Sequence, residues 1–597
     1  MVSTNLRLPK PPFNSFYSRL RFHPLKCYAE KISGRKRVMT RALIILLSAM
    51  LATACAKAPE ADLALINGQI YTGDEGFETV QALAVNAGRI AALGSLAEIK
   101  DLIGENTQVI DLKGQFAMPG FNDAHVHVHN AATRIFGTDL VGTASLEEMC
   151  SRVQALVDKT PAGQWIFGRG WDENLWPVAK VPGRQDLDAL STDHPILLRR
   201  VDGHSSVANS MALELAGFDC RSPAPDGGVI ECGADGQPTG WIKETASELA
   251  TALVPPPGKA ERIAAYKKIL QEIVAAGVTS IQDDSIRVAG GGWAYMEAMQ
   301  TLKASGDLPV RVTTWLPFDA GIEQLLEWRD QGGTEDPWLK TGLLKASIDG
   351  SGGSLTAAML EPYTTGLDNR GVLIVPEEQL TAMTRERVQA GFQLGIHSIG
   401  DRANRVVLNA LEAALDIDGS KELRHRVEHA QFLHDKDVPR FAAMNVIASA
   451  QPSHLLTDMR WAPRILGPER EHEGYRWASL WRSGAMLAFG TDYPVELISP
   501  MRTLYGAVAR EFETGGPPGG WIPEEKLTID EAIQAYTWGS AFAEFEDHRK
   551  GTLVPGKLAD IVVLSKNIRQ VPAADILKTE VVMTIVGGQL MYAKNGD

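Results

Sequence analysis

Between residues 62 and 118 apolar and polar positions alternate in short runs (LALINGQIYTG, VQALAVNAGRIAALG, QVIDLKGQFAMPG), broken at Asn67-Gly68 and Ala87-Gly88. A period of two interrupted by turn residues predicts β-strands joined by tight turns. The texture returns near the C-terminus in GTLVPGKLADIVVLS and VVMTIVGGQLMYA, so 62–118 and 550–597 are expected to pair as one composite β-sandwich. From 119 to 549 the pattern changes. Apolar runs there alternate with segments of helical period, such as ERIAAYKKILQEIVAAG before VTSIQDD and EEQLTAMTRERVQAG before FQLGIHS. Helices closing at Gly ahead of a buried strand mark repeated β/α units. The stretch from about 131 to 260 is too long for a single connection and is expected to insert a subdomain.

The ends of the apolar runs carry the chemistry. In MPGFNDAHVHVHN, residues 118–130, His125 and His127 stand two apart in an alternating run. Their imidazoles therefore share a face and can converge on one metal ion. Four later runs end in a candidate ligand: LLKASIDG at Lys345, FQLGIHSIG at His397, RHRVEHAQF at His429 and AMLAFGTDYPVE at Asp492. A (β/α)8 barrel gathers its active-site groups at the C-terminal ends of its strands. The expected fold class is therefore α/β, a TIM-like (β/α)8 barrel with the small β-sandwich formed from both chain ends. By strand alternation Glu428 faces away from His429 and is not expected to be a ligand; His129 and Asp123 are expected to be structural.

Charge and cysteine content bound the setting. At 597 residues, 44% hydrophobic and 22% charged, the chain has the composition of a globular enzyme. Its first 54 residues hold ten Lys/Arg and one acid, Glu30, and end in the apolar run Ala42–Ala54. That run is short for a helix crossing a bilayer core of ~30 Å and is expected to be a secretory signal beginning near Met39. Its end, Leu51-Ala52-Thr53-Ala54-Cys55, resembles a bacterial lipoprotein cleavage site with Cys55 as the lipidated residue; ordinary signal cleavage stays open. Without residues 1–54 the formal charge moves from −14 to −23. So acidic a body argues against a nucleic-acid or anionic-lipid surface, leaving a lipid on Cys55 as the expected membrane contact and the periplasm or outer membrane as the expected location. There Cys220 and Cys232 could close the loop between them. No CxxC pair is present, so the metal case rests on histidines.

The order HxH, Lys, His, His, Asp on successive strands resembles the amidohydrolase superfamily. The wording PGFNDAHVH, GWDENLWP (170–177), GHSSVANSMAL (203–213), LKASIDGS (344–351), HSIGDRA (397–403), RVEHAQ (426–431) and GTDYPVE (490–496) resembles its YtcJ-like branch, amidohydrolase 3, which includes N-substituted formamide deformylases. The resemblance implies one or two divalent ions per chain, with zinc expected. His125, His127 and Asp492 would form one position, and His397 with His429 a second. Lys345, carboxylated on its amine, would bridge them. A plain Lys345 paired with Asp349, or a single-metal site, stays open. A metal ion lowers the pKa of bound water to ~7. The expected reaction is thus hydroxide attack on a polarised carbonyl, with Asp492 relaying the proton to the leaving nitrogen. His204 follows the run PILLRRVDG and should reach the barrel mouth, to contact the substrate carbonyl or to hold a loop. Trp165, Trp171 and Trp176 could wall an apolar pocket or be core.

Hydrolysis of a non-peptide amide or formamide-like C–N bond of a small molecule is the first expectation. A metal-dependent lyase or decarboxylase on the same ligands, and a ligand-binding lipoprotein without turnover, are the alternatives. No Walker loop or Rossmann fingerprint is present, so no nucleotide cofactor is expected. The oligomeric state, a homodimer included, is left open.

Overall fold

The computed structural model describes residues 60–594 except 75, 77, 289–291 and 366–367. The leader, the apolar run 42–54 and Cys55 lie outside the described residues. Among the described residues no helix is long and apolar enough to cross a membrane.

Eight strands form the centre: β1 Phe121–Val126, β2 Val278–Asp283, β3 Arg311–Pro317, β4 Leu339–Ser347, β5 Leu394–Ser398, β6 Arg426–His429, β7 Ile447–Ala450 and β8 Leu487–Phe489. They lie side by side in chain order, every neighbouring pair parallel. Nearly all their residues are buried, as expected of strands covered on one side by helices and on the other by the barrel interior. The helix Lys259–Ala275 shows how the cover is made, burying Ala265, Tyr266, Ile269, Leu270, Ile273 and Val274 against the strands.

The barrel is all but closed by the segment following β8. Val126 bridges Tyr493 in parallel, Asp492 N donates to the His125 carbonyl at 2.7 Å and His127 N to the Tyr493 carbonyl at 2.7 Å. Asp123 locks this seam, accepting from Thr491 N (2.9 Å), Thr491 Oγ1 (2.8 Å) and Tyr536 OH (2.8 Å). Gly490 permits the approach, since a Cβ there would lie 2.6 Å from His125 N. This is an eight-stranded, nearly closed parallel barrel in a mixed α/β chain, the expected fold class.

Two further sheets are built from the chain ends, the first from the N-terminal part alone and the second from both. One orders Arg89–Gly94, Ala82–Asn86, Leu63–Ile66 and Gln108–Asp111; the other includes Val581–Val586, Ile561–Leu564, Phe116–Pro119 and Gln69–Tyr71, with Ile561–Leu564 antiparallel to Phe116–Pro119. Leu65, Leu83, Ala117, Ile561 and Val563 share one apolar cluster between them. Between β1 and β2 lies a six-stranded sheet that includes Ile166–Trp171, Ile196–Arg200, Ser205–Ala208 and Pro238–Glu244. Cys232, at the end of its strand Gly228–Cys232, forms a disulfide with Cys220 in the preceding loop. The tryptophans do not wall a pocket: Trp171 and Trp176 pack with Trp241 in this sheet's own core, and half-buried Trp165 packs on a neighbouring cluster. A sheet set apart from the barrel needs its own large apolar side chains, and these supply them.

Candidate metal centre

His125 and His127 leave the C-terminal end of β1, and Asp492 meets them from the segment after β8. His127 Nε2 lies 2.9 Å from Asp492 Oδ1 and His125 Nε2 lies 3.7 Å from it. Lys345, on β4, sets its Nζ 3.3 Å from His125 Nε2 and 3.6 Å from Asp284 Oδ2. The rings of His125 and His429 are 5.0 Å apart, those of His429 and His397 4.4 Å, and those of His397 and His204 4.8 Å. Every residue expected from sequence thus lies in one cluster, buried except for the half-buried His204.

Two of these side chains reach the cluster by leaving strand geometry. His429 has φ 73° and Asp492 φ 57°, the left-handed region, which Asn, Asp and His enter more readily than other non-glycine residues and which is associated with functional sites. The turn at His429 corrects the expectation for Glu428. Strand alternation fails at this point, so Glu428 also faces inward. It accepts from His125 Nδ1 at 2.8 Å and from Arg426 Nη2 at 3.1 Å. A carboxylate on one ring nitrogen sets the tautomer and aims the other nitrogen at a metal. Lys345 is likewise not paired with Asp349, which accepts from the backbone N–H groups of Ala358, Ile399 and Gly400; its acidic neighbour is Asp284.

One residue of the cluster was missed: His454, at the start of the helix after β7, with Nε2 3.4 Å from Asp492 Oδ2. The signal was present, since Ala450-Gln451-Pro452-Ser453-His454 follows a barrel strand as the other ligands do. Ligand atoms of His125, His127 and Asp492 lie within 4.8 Å of one another, and so do those of His429, His454 and Asp492. His397 sits beside the second group but directs Nε2 to the Gly350 carbonyl, 3.1 Å away.

The donor set fits divalent cations. His429 Nδ1 is buried without a hydrogen-bond partner, a cost of ~1–3 kcal/mol that a cation would relieve. Burial, then Lys345, pushes His125 down to about 4, and burial pushes His397 and His429 well below their usual value. Neutral imidazole is the ligating form. Burial works against ionised Asp492, yet His125, His127 and His454 prevail and hold it as a carboxylate. Burial also lowers Lys345, against the opposing pull of Asp284. Burial opposes a proton on His454, but Asp492 outweighs it and raises that group to about 9.

Two lobes of a cleft, about 230 and about 250 Å3, meet at His204, His397, His429 and Asp492. His204 comes from the inserted sheet and donates from Nδ1 to Glu244 Oε2 at 2.8 Å. Burial disfavours its charged form, but Glu244 and Asp202 raise it overall. His129 is structural, bonded through Nδ1 to Tyr266 OH at 2.7 Å.

Residues 108–592 match the amidohydrolase family. The chain is 34% identical to the protein LONG AFTER FAR-RED 3 of Arabidopsis thaliana, over 89% of this chain and 92% of that one. It is 30% identical to the amidohydrolase YtcJ of Bacillus subtilis, over 88% and 99%. Identity to the N-substituted formamide deformylase of Arthrobacter pascens is 26%, over 90% and 99%. Among solved structures, an uncharacterized metal-dependent hydrolase from Pyrococcus horikoshii superposes with a TM-score of 0.67 at 27% identity, covering 86% of this chain and 99% of that one. Fold, ligand cluster and relatives agree: the chain belongs to the YtcJ-like branch of the amidohydrolase family, metal-dependent hydrolases acting on carbon–nitrogen bonds.

Proposed function

We propose that this amidohydrolase cleaves a non-peptide amide or formamide-like bond of a small molecule, with zinc as its ion and Lys345 carboxylated. One observation carries the reading: a buried set of imidazoles, one carboxylate and one lysine converges where both lobes of the cleft meet, and His204 faces the same point. His125, His127 and Asp492 would hold one ion, and His429 a second with His454 or His397. Bound there, a divalent cation polarises a carbonyl and acidifies water. Asp492, held ionised by its neighbours, takes the proton that water sheds as the new C–O bond forms. It returns that proton to the nitrogen as the C–N bond breaks, giving an acid and an amine. His204, oriented by Glu244, donates to the oxygen that gains negative charge. The lowered basicity of Lys345 supports carboxylation, because only the free amine adds carbon dioxide. Export as a lipoprotein through Cys55 is part of the proposal and is supported by the Cys220–Cys232 disulfide, a bond that oxidising compartments maintain.

Elemental analysis of protein purified with bicarbonate tests the centre. Two ions per chain are expected, with loss in Lys345→Ala; one ion insensitive to that change refutes the bridge. Turnover in 18O water tests the chemistry, since hydrolysis puts the label in the carboxyl product and a lyase does not. Asp492→Asn should keep metal and lose most turnover.

A further inference from the structure

The inserted sheet brings two arginines side by side into the first lobe. Arg169, on Ile166–Trp171, and Arg199, on Ile196–Arg200, are register partners on adjacent parallel strands. Both line the lobe of about 230 Å3 that His127, Lys345 and Asp492 also line. Like charges set opposite each other on neighbouring strands repel, and buried charges are ordinarily paired. Here they are not. Arg169, 4% exposed, donates through Nη2 to the Val201 carbonyl at 3.1 Å, and its Nη1 is buried with no partner. Arg199 makes two bonds to the Gly203 carbonyl, at 3.0 and 2.6 Å. Among the described residues neither forms an ion pair, because nearby acids are engaged elsewhere: Asp202 with Arg200 at 2.8 Å, Glu244 with His204 at 2.8 Å, Glu248 with Arg287 at 3.4 Å. Burial, then Arg199, pushes Arg169 down to about 9, as expected of a cation short of counter-charge.

We propose that Arg169, backed by Arg199, is a carboxylate subsite: the substrate carries a carboxylate that docks on Arg169 Nη1 while its C–N bond lies between Asp492 and His204. The guanidinium fork matches a carboxylate, and docking supplies the charge that the paired strands lack. A neutral amide would leave the arginine unpaired, so the subsite selects acyl derivatives of amino acids over those of plain amines. This rests on the hydrolase reading above, and two probe pairs separate the two.

The first pair needs no turnover. Binding of 3-benzoylpropionate and of butyrophenone, ketones that differ in the carboxylate and contain no C–N bond, is measured by calorimetry on the metal-loaded protein. The carboxylate is expected to bind at least tenfold more tightly. That preference should collapse in Arg169→Gln and survive in part in Arg169→Lys, each first checked for folding by circular dichroism. No preference in the wild type, or no binding of either probe, overturns the subsite. So does a preference that persists in R169Q, which would mean that the carboxylate only ligates the metal. The second pair is hippurate and hippuramide, read as kcat/KM. The wild type should favour hippurate at least tenfold, and the ratio should fall at least tenfold in R169Q; equal turnover of the two overturns the subsite. A binding preference without hydrolysis of either amide keeps the subsite and removes the hydrolase reading. Hydrolysis without preference does the reverse.

Discussion

Replacing Glu428 by Ala should damage stability and metal affinity together, by amounts that the contacts set. The carboxylate is fully buried with Arg426, whose Nε lies 2.7 Å from Oε1, and it accepts from His125 Nδ1 at 2.8 Å. Arg426 and then His125 hold it ionised at about 2 against the cost of burial. Removing one member of a buried ion pair costs ~3–5 kcal/mol, because the other charge is left uncompensated. Arg426 would keep bonds to Gln282 Oε1, to the Ala124 carbonyl at 2.8 Å and to Ser449 Oγ at 2.8 Å. The loss should therefore fall near the lower end, about 3 kcal/mol. Losing the group that orients a ligating histidine typically costs ~10–100-fold in metal affinity. Urea denaturation of metal-free protein reads the first effect, and competition with a chromophoric chelator the second. Glu428→Gln separates them: its amide oxygen can still accept from His125, so metal affinity should largely return while Arg426 stays short of charge. An E428A protein that binds metal within threefold of the wild type refutes the orienting role.

Three more outcomes follow from the same geometry. His454→Ala should lower metal content by one ion per chain in elemental analysis; unchanged content places His454 outside the ligand set. Trp171→Ala removes a fully buried ring packed on Trp176 and Trp241 and should cost ~3–5 kcal/mol in denaturation, whereas a loss under ~1 kcal/mol would contradict its place in the inserted sheet's core. Joint Cys220→Ser and Cys232→Ser replacement opens a bridge spanning 12 residues and should cost about 3 kcal/mol under non-reducing conditions.

The barrel was legible because parallel strands buried on both faces leave continuous apolar runs, and because the ligands stand at the ends of those runs. What period counting could not reach was any departure from the period. Glu428 and His429 share the interior only because His429 adopts φ 73°, and no hydrophobic pattern records that angle. The neighbour of Lys345 was missed for a different reason. Asp284, just past β2, and Lys345, on β4, meet in the barrel interior, whereas the pairing that sequence left open, with Asp349, rests on closeness along the chain. The tryptophans were ambiguous because a large apolar ring serves a core and a pocket equally well, and only the topology of the insertion decides between them.

That insertion divides the labour of the site. The barrel and the segments just past its strands supply every candidate ligand, and the ends of β1 and β8 are bonded so closely that Asp492 could not shift without opening the seam. His204, Arg169 and Arg199 come from a sheet with its own core, joined to the barrel at the cleft through Ser205–Ser354 and through Asp202, which accepts from Ser351 and Ser354. The candidate metal ligands and the proposed carboxylate subsite are therefore carried on separately packed units, with Asp492 lining the cleft from the barrel side. On the proposed reading, substitutions within the inserted sheet should change substrate preference and leave metal content unchanged. The reverse does not hold: any change that moves Asp492 alters both lobes at once, because it lines each of them.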